Sequence, residues 1–135
     1  MKRGQIVWVN QSRARASLGS ASGALDKTKT SRPYLVVHSP HVPRFFQNFV
    51  CVEITSQIKN ANVAWRVLLR AGSCLPSQRG EIVPGKDSYV DCSQIHTFPD
   101  NCVETSRRDG GIWGVVPDPL MDEVDKALIN ALYLG

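Results

Sequence analysis

The sequence predicts a mainly β fold with added helices: a small barrel or twisted sheet that ends in a C-terminal α-helix. Short segments of β-branched and aromatic residues alternate with turns rich in Gly, Pro and Ser, which is typical of such sheets. The last part of the chain instead repeats apolar residues at helical spacing. At 135 residues the chain has the length of one domain, so we predict a single domain over residues 1–135.

Five segments have the composition of strands, because β-branched and aromatic side chains pack well on a pleated surface. Two closely spaced prolines, Pro40 and Pro43, predict a turn between the second segment and the third. The segments are Gln5–Val9, Tyr34–His38, Phe49–Ile54, Val63–Leu69 and Ser88–Cys92, followed by a short, irregular one over Ile95–Phe98.

The stretch from Asn10 to Ser31 predicts a long flexible loop. It is rich in Gly, Ser, Ala and Thr, and it contains almost no large apolar residue. In a compact domain, a structureless stretch of more than about 15 residues is usually functional or disordered. Because this stretch ends directly before Arg32, two interpretations stay open: a lid over a site at Arg32, or a flexible insertion.

The segment after Pro117 predicts the C-terminal helix. Asp118 can cap it, and Pro119 suits its first position. Acidic residues follow in the first turn, where the helix dipole favours negative charge. One face is apolar and should pack on the core or on a partner subunit; it comprises Leu120, Met121, Val124, Ala127, Leu128, Ala131 and Leu132.

Charge is unevenly distributed along the chain, although its net value is only +4. Residues 1–80 contain 12 Lys and Arg against 2 Asp and Glu, whereas residues 81–135 contain 4 against 10. A strongly basic half favours a polyanionic partner such as nucleic acid, because neutralising phosphates releases counterions. A basic face that is merely solvated is the alternative.

The cysteines and the N-terminal residues bear on metal binding and location. Cys51, Cys74, Cys92 and Cys102 form no CxxC pair and have no histidine at zinc-ligand spacing, so we predict no metal site. No signal-peptide pattern follows Met1, and no apolar run approaches the length of about 20 residues that is needed to span a bilayer. We therefore expect a cytoplasmic protein with no membrane partner, with reduced thiols and with Cys51 and Cys92 buried.

Three polar strings lie at the ends of predicted strands. Pro33 fixes its own φ and favours an extended Arg32 at the start of the second strand. A fold that joins these strand ends would gather an arginine, hydroxyls, an amide and a histidine, a set that suits a phosphodiester. The strings are Arg32 to Val37, Ile54 to Gln57, and Asp87 to Val90 continuing into Gln94 to Thr97.

Seven short motifs follow one another in register from residue 3 to residue 128: Arg3-Gly4, Arg32-Pro33, Arg44-Phe45, Ile54-Thr55-Ser56-Gln57, Asp87-Ser88, Gln94-Ile95-x-Thr97 and Asp122 to Leu128. Together they resemble the MazF/PemK family of toxin endoribonucleases. The resemblance implies an SH3-like barrel, a homodimer, and cleavage of single-stranded messenger RNA without metal or cofactor, leaving 2′,3′-cyclic phosphate ends. It also implies a type II toxin–antitoxin system, whose cognate antitoxin covers the RNA groove with an acidic disordered tail.

The resemblance implies that Arg32 and Thr55 are the catalytic pair. A guanidinium keeps its proton and offers a planar fork of donors to phosphate oxygens. The Thr55 hydroxyl can donate to a phosphate oxygen or orient the ribose 2′-hydroxyl. Ser56, Gln94 and His96 are further candidates for catalysis or RNA contact.

His96 departs from the family, which usually has arginine there. Since the pKa of histidine is about 6.5, His96 could carry a proton at neutral pH. Contact with a phosphate or a base, and a purely structural hydrogen bond, are the other interpretations. The basic residues that we predict to bind RNA are Arg13, Arg15, Lys27, Lys29 and Arg44.

The three tryptophans divide into two groups. Trp8 and Trp65 lie in strand-like apolar runs, so we expect them in the core. Trp113 follows Gly110-Gly111 in a predicted loop, and we expect it to contact a dimer mate or another partner.

Two other functions are compatible with the same fold. Relatives that poison DNA gyrase act through protein contacts and a C-terminal Trp-Gly-Ile, whereas this chain ends in Tyr133-Leu134-Gly135, which favours RNA. A non-catalytic RNA-binding barrel would keep the basic surface but would not need Arg32 and Thr55 as a unit.

Overall fold

The computed structural model describes residues 1–18, 30–38, 47–57, 63–107 and 109–132, and these form a seven-stranded antiparallel sheet with two α-helices. The strands are β1 (Gln5–Asn10), β2 (Ser31–Val36), β3 (Asn48–Thr55), β4 (Arg66–Leu69), β5 (Leu75–Pro76), β6 (Ser88–Pro99) and β7 (Ile112–Val115). The helices are α1 (Gln11–Leu18) and α2 (Asp118–Leu132).

The strands are ordered β4-β6-β3-β2-β1-β7-β5, and the sheet curls into a half-barrel. Successive side chains of a strand point to opposite faces, so each central strand supplies two apolar layers. Ile6 and Leu35 belong to the layer that packs against α2, whereas Val7 and Tyr34 belong to the layer that packs against α1. The predicted mainly β fold with a C-terminal helix is confirmed.

Helix α2 lies across one face of the sheet, as its apolar periodicity predicts. Met121, Val124 and Ala127 are buried, whereas Leu132 at the end of the helix is exposed. Among the described helices, none has the length and apolar character needed to cross a membrane.

Helix α1 corrects the prediction of a loop from Asn10 onwards. Asn10 caps the helix, since its Oδ1 accepts a hydrogen bond of 3.0 Å from Arg13 N. Gln11 and Ala14 are fully buried, so tertiary packing stabilises a segment with few apolar residues. Residues 19–29 of the predicted loop lie outside the described residues.

Strand β6 is longer than predicted and includes the segment expected to be short and irregular. Its pairing with β3 shifts between Val52, opposite Ile95, and Glu53, opposite Asp91. This irregularity lets one strand continue through two registers. Strand β7 also lies where a loop was predicted, because the glycines around Trp113 hide the strand pattern.

Burial confirms the packing role predicted for Cys51 and Cys92, which are fully buried. The prediction of a core position for Trp65 is wrong, because 39% of this residue is exposed. Trp65 precedes β4, an edge strand that pairs only with β6 within the described sheet.

Candidate functional site

A cleft of about 550 Å³ lies where β2 begins and β3 ends. Antiparallel pairing brings these two strand ends together at one end of the sheet, next to the start of β6. The cleft is lined by Trp8, Ser31, Arg32, Pro33, Ile54, Thr55, Ser56, Gln57, Gly85, Lys86, Ser88 and Trp113. Arg32, from the first strand-end string, and Thr55 and Ser56, from the second, therefore line one depression.

Arg32 is held in this cleft by an ion pair. Its Nη1 lies 3.3 Å from Glu53 Oε1, and the two side chains are 18% and 12% exposed. Glu53 is opposite Tyr34 in the β2–β3 pairing, so Arg32 reaches it diagonally on the same face. A guanidinium has five N–H donors. The pair orients the group and leaves further donors for a ligand anion.

Thr55 and Ser56 lie at the end of β3. The Thr55 Oγ1 accepts a hydrogen bond of 3.2 Å from Gln57 N, which fixes the hydroxyl oxygen at the strand end. Ser56 and Gln57 are exposed and line the cleft. A hydroxyl that accepts through its oxygen can still donate its proton to a ligand.

The charge of the cleft suits an anion. Arg32 and Lys86 line it, and its lining contains no carboxylate among the described residues. Lys86 is exposed, and its carbonyl accepts a hydrogen bond of 2.9 Å from Ser88 Oγ at the start of β6. Sequence reasoning missed Lys86, although the Asp87-Ser88 motif lies next to it.

The apolar wall of the cleft was also missed. Trp8 and Trp113 line it, with 4.9 Å between their ring centroids, alongside Pro33 and Ile54. Trp8 is buried, as predicted, yet it contributes to the cleft, where it lies opposite Pro33 in the β1–β2 pairing. Trp113 lies on β7 and not in the predicted loop.

His96 does not belong to the described lining of the cleft. It lies opposite Cys51 on β6, and its ring stacks on Phe98 with 5.3 Å between centroids and meets Tyr34 edge-on at 5.8 Å. Burial, followed by the positive charge of Arg32, lowers the pKa of His96. Its buried Nε2 makes no hydrogen bond within the described residues. These contacts are those of a packed neutral imidazole.

The other predicted candidates lie in different places. Gln94 is in the irregular part of β6, where pairing with β3 shifts, and it is also absent from the lining. Arg13 and Arg15 lie on α1, where Arg13 Nη1 donates to Asn101 O and Arg15 Nη2 donates to Ser12 Oγ. Lys27, Lys29 and Arg44 lie outside the described residues.

The cysteines form no disulfide within the described residues. All four are buried, and burial raises the pKa of the Cys92 thiol to about 12. Within residues 1–18, 30–38, 47–57, 63–107 and 109–132, no three His, Cys, Asp or Glu side chains gather as a metal site would require.

Comparison with solved structures shows the same fold in bacterial toxins. An endoribonuclease in complex with its cognate antitoxin, from a mycobacterial species, matches with a TM-score of 0.63 and 20% identity over 100% of this chain and 97% of that one. Mycobacterium tuberculosis toxin MazF-mt6 matches with a TM-score of 0.55 and 19% identity over 78% and 90%. The MazE-MazF structure from Deinococcus radiodurans matches with a TM-score of 0.56 and 17% identity over 98% and 94%.

A search of curated proteins gives no match. The family model described as the PemK-like, MazF-like toxin of type II toxin–antitoxin systems matches residues 2–132. This match covers nearly the whole chain and includes every strand and helix of the described fold. The chain belongs to the PemK-like and MazF-like family of toxins of type II toxin–antitoxin systems.

Proposed function

We propose that the chain is a toxin that cleaves single-stranded RNA within the strand, without a metal ion. The observation that carries this proposal is the position of Arg32 and Thr55 in one cleft, with Lys86 as a second cation. Two of the similar structures are described as endoribonucleases, which agrees with the proposed activity.

The cleft offers groups for transesterification by the ribose 2′-hydroxyl. The 2′-oxygen attacks phosphorus as its proton passes to water, the bond between phosphorus and the 5′-oxygen breaks, and that oxygen takes up a proton from water. The products are a 2′,3′-cyclic phosphate and a 5′-hydroxyl. Arg32 would donate to the nonbridging phosphate oxygens, where negative charge accumulates, and donors placed in this way typically contribute about 10²–10³-fold.

Thr55 would act on the same phosphate from the neighbouring strand. Its hydroxyl oxygen is fixed by Gln57 N at 3.2 Å, so the hydroxyl proton can point into the cleft. It would donate to a phosphate oxygen or orient the 2′-hydroxyl. Ser56 lines the cleft next to it and is a second hydroxyl donor. His96 has no place in this scheme, because it is absent from the described lining.

The proposed partners follow from charge and from the family. Arg32 and Lys86 can bind either RNA or an acidic peptide, since RNA and acidic peptides are polyanions. We expect the cognate antitoxin to inhibit the toxin by covering this cleft with an acidic segment, and we expect the toxin to act as a homodimer in the cytoplasm.

The proposed activity is tested by incubating the protein with a long single-stranded transcript in EDTA. We expect discrete cuts whose upstream fragments end in 2′,3′-cyclic phosphate and whose downstream fragments begin with 5′-hydroxyl. Uncut RNA with and without divalent cations would refute cleavage. Retained RNA binding would then indicate a non-catalytic barrel, and inhibition of DNA gyrase would indicate the other toxin class.

A matched pair at Thr55 tests the site within the same assay. Thr55→Val removes the hydroxyl and keeps the branched shape, so the cleavage rate should fall by about 10²-fold or more. Thr55→Ser keeps the hydroxyl and should retain most of the activity. Equal rates for the two variants would remove the hydroxyl from the mechanism.

A further inference from the structure

Two tryptophans in the wall of the cleft that Arg32 and Thr55 line pack against each other, and an arginine outside the described lining packs on one of them. The Trp8 and Trp113 ring centroids are 4.9 Å apart, with 40° between the ring planes. The Arg107 Cζ lies over the Trp8 ring, 3.9 Å from its centroid. We call Arg107, Trp8 and Trp113 the aromatic stack.

The ring that can meet a ligand in this stack is Trp113. Trp8 is 9% exposed and already contacts both Arg107 and Trp113, so little of its surface remains for a ligand. Trp113 is half-buried and lines the cleft. It is therefore the outer member of the stack, with Trp8 packed beside it.

Trp113 is also held in a fixed orientation. Its Nε1 donates a hydrogen bond of 2.9 Å to Glu81 Oε1, and its backbone carbonyl accepts one of 3.0 Å from Ser77 N. The neighbouring residues of β7 pair with β1, in which Trp8 lies. A ring fixed in this way loses little conformational freedom when a ligand packs on it.

The cleft combines the two surfaces that a nucleotide needs. A nucleotide has a flat aromatic base and an anionic phosphate, and single strands are bound by aromatic side chains that stack on bases beside cations that track the backbone. Trp113 supplies the flat surface, whereas Arg32 and Lys86 supply the charge. The two cations in the described lining favour this ligand over an uncharged apolar side chain of a peptide.

We propose that Trp113 is a base-stacking subsite for the nucleotide next to the scissile phosphate, supported by Trp8 and Arg107. This inference rests on the proposed RNA cleavage, and it adds a contact that raises the affinity for RNA and holds the nucleotide beside the scissile phosphate in place. The subsite accepts any base through its π-face, so it positions the strand more than it selects a sequence.

The first test measures binding with a pool of 2′-O-methyl RNA 12-mers, which cannot undergo attack by a 2′-hydroxyl. Trp113→Leu should raise the Kd of the pool by about 5- to 150-fold, the range expected for the loss of one base–aromatic stack. Trp113→Phe keeps a smaller ring and should lie closer to the parent. Trp65→Leu is the matched control, because Trp65 is 39% exposed and does not line the cleft.

A second measurement separates stacking from structural damage. Once the cleavage position in a transcript is known, RNA 12-mers that contain it are made with one abasic nucleotide at each position in turn. In the parent, the abasic nucleotide beside the scissile phosphate should weaken binding most, and in Trp113→Phe that penalty should shrink.

Fluorescence of Trp65→Phe, which retains Trp8 and Trp113, should be quenched by the 2′-O-methyl pool and not by inorganic phosphate.

The outcomes separate this proposal from the proposed function. If the parent and Trp65→Leu cut RNA while Trp113→Leu folds and binds the pool with the parental Kd, stacking is refuted and cleavage stands. The aromatic stack would then be expected to contact a protein partner. If Trp113→Leu does not fold, Trp113→Phe provides the test instead, and an abasic penalty equal to that of the parent refutes stacking. If the parent neither cuts nor binds RNA, the proposed function itself fails.

Discussion

The guanidinium of Arg32 and the carboxylate of Glu53 form an ion pair across two adjacent strands, with 3.3 Å between Nη1 and Oε1. Both side chains are largely buried near the ends of their strands, so the pair is better shielded from solvent than an ordinary surface ion pair. Glu53 therefore fixes the direction of the proposed catalytic cation and also reduces the net positive charge of the site.

Replacing Glu53 should separate positioning from charge. Without its carboxylate, Arg32 loses its fixed orientation, and misplacement of a catalytic group by about 1 Å can cost about 10²-fold. We expect Glu53→Ala to lower kcat by about 10- to 10²-fold, while KM for RNA stays constant or falls because a negative charge has been removed. Glu53→Gln keeps an acceptor for Nη1 and should show a smaller loss of kcat. A rise in KM at constant kcat would show that Glu53 does not position Arg32.

Replacing Arg32 should affect stability as well as cleavage. Arg32→Ala removes the proposed phosphate donor and should lower the cleavage rate by about 10²-fold or more. It also leaves the Glu53 carboxylate, 12% exposed, without this cation. We expect the free energy of unfolding to fall by about 1–3 kcal/mol, below the cost of breaking a fully buried pair.

The double variant Arg32→Ala/Glu53→Gln provides the control. It removes the negative charge that has lost Arg32 as its cation, so urea unfolding should return toward the parental free energy while cleavage stays lost. If the single and double variants are equally stable, the ion pair contributes nothing measurable. If Arg32→Ala cuts RNA at the parental rate, Arg32 has no catalytic role.

The lowered pKa of His96 predicts a loss of stability in acid. In the unfolded chain His96 titrates at about pH 6.5, whereas in the folded protein burial and the positive charge of Arg32 lower its pKa. Between these two values the unfolded state binds more protons. The stabilising contribution is therefore complete above about pH 6.5 and is lost as the pH falls through the folded pKa.

His96→Gln should flatten this dependence, with less change in the free energy of urea unfolding between pH 7.5 and pH 5. NMR titration of the parent imidazole should give a midpoint below about 6.5. A midpoint above that value would contradict the lowered pKa. Because His96 is absent from the described lining, the pH profile of cleavage should be the same in the parent and in His96→Gln.

The sequence predicted the elements whose local pattern agrees with their final environment. The runs around Ile6 and Val52 are β-branched and form central strands, and α2 has both helical periodicity and a clear start. Helix α1 was missed because it is stabilised by Asn10 as a cap and by burial of Ala14, and neither gives a strong local signal.

The site was predictable only in part, for a physical reason. Strand-end motifs marked Arg32 and Thr55, and antiparallel pairing brings strand ends together. The contact between Arg32 and Glu53 depends on strand register, which the sequence does not fix. The glycines beside Trp113 are typical of turns and predict a loop there, although they lead into β7.

Two adjacent glycines before β7 predict a sharp difference in tolerance to substitution. Gly110 and Gly111 have φ values of +59° and +85°, so alanine is strained at both positions. A Cβ on Gly110 would meet nothing within 4 Å, whereas a Cβ on Gly111 would lie 2.5 Å from Val103 Cγ1 and 2.9 Å from Glu104 O. Gly111 also accepts a hydrogen bond from Trp8 N and donates one to Arg107 O, which ties the turn to the aromatic stack.

Gly110→Ala should therefore cost only the left-handed backbone term, about 1–2 kcal/mol. Gly111→Ala adds overpacking against Val103 and against backbone that cannot move away, and it should cost at least about 1–3 kcal/mol more. Urea unfolding of both variants measures the difference, and near-ultraviolet circular dichroism should report disturbed tryptophan packing in Gly111→Ala alone. Equal losses would mean that the turn relaxes freely and does not hold the aromatic stack in place.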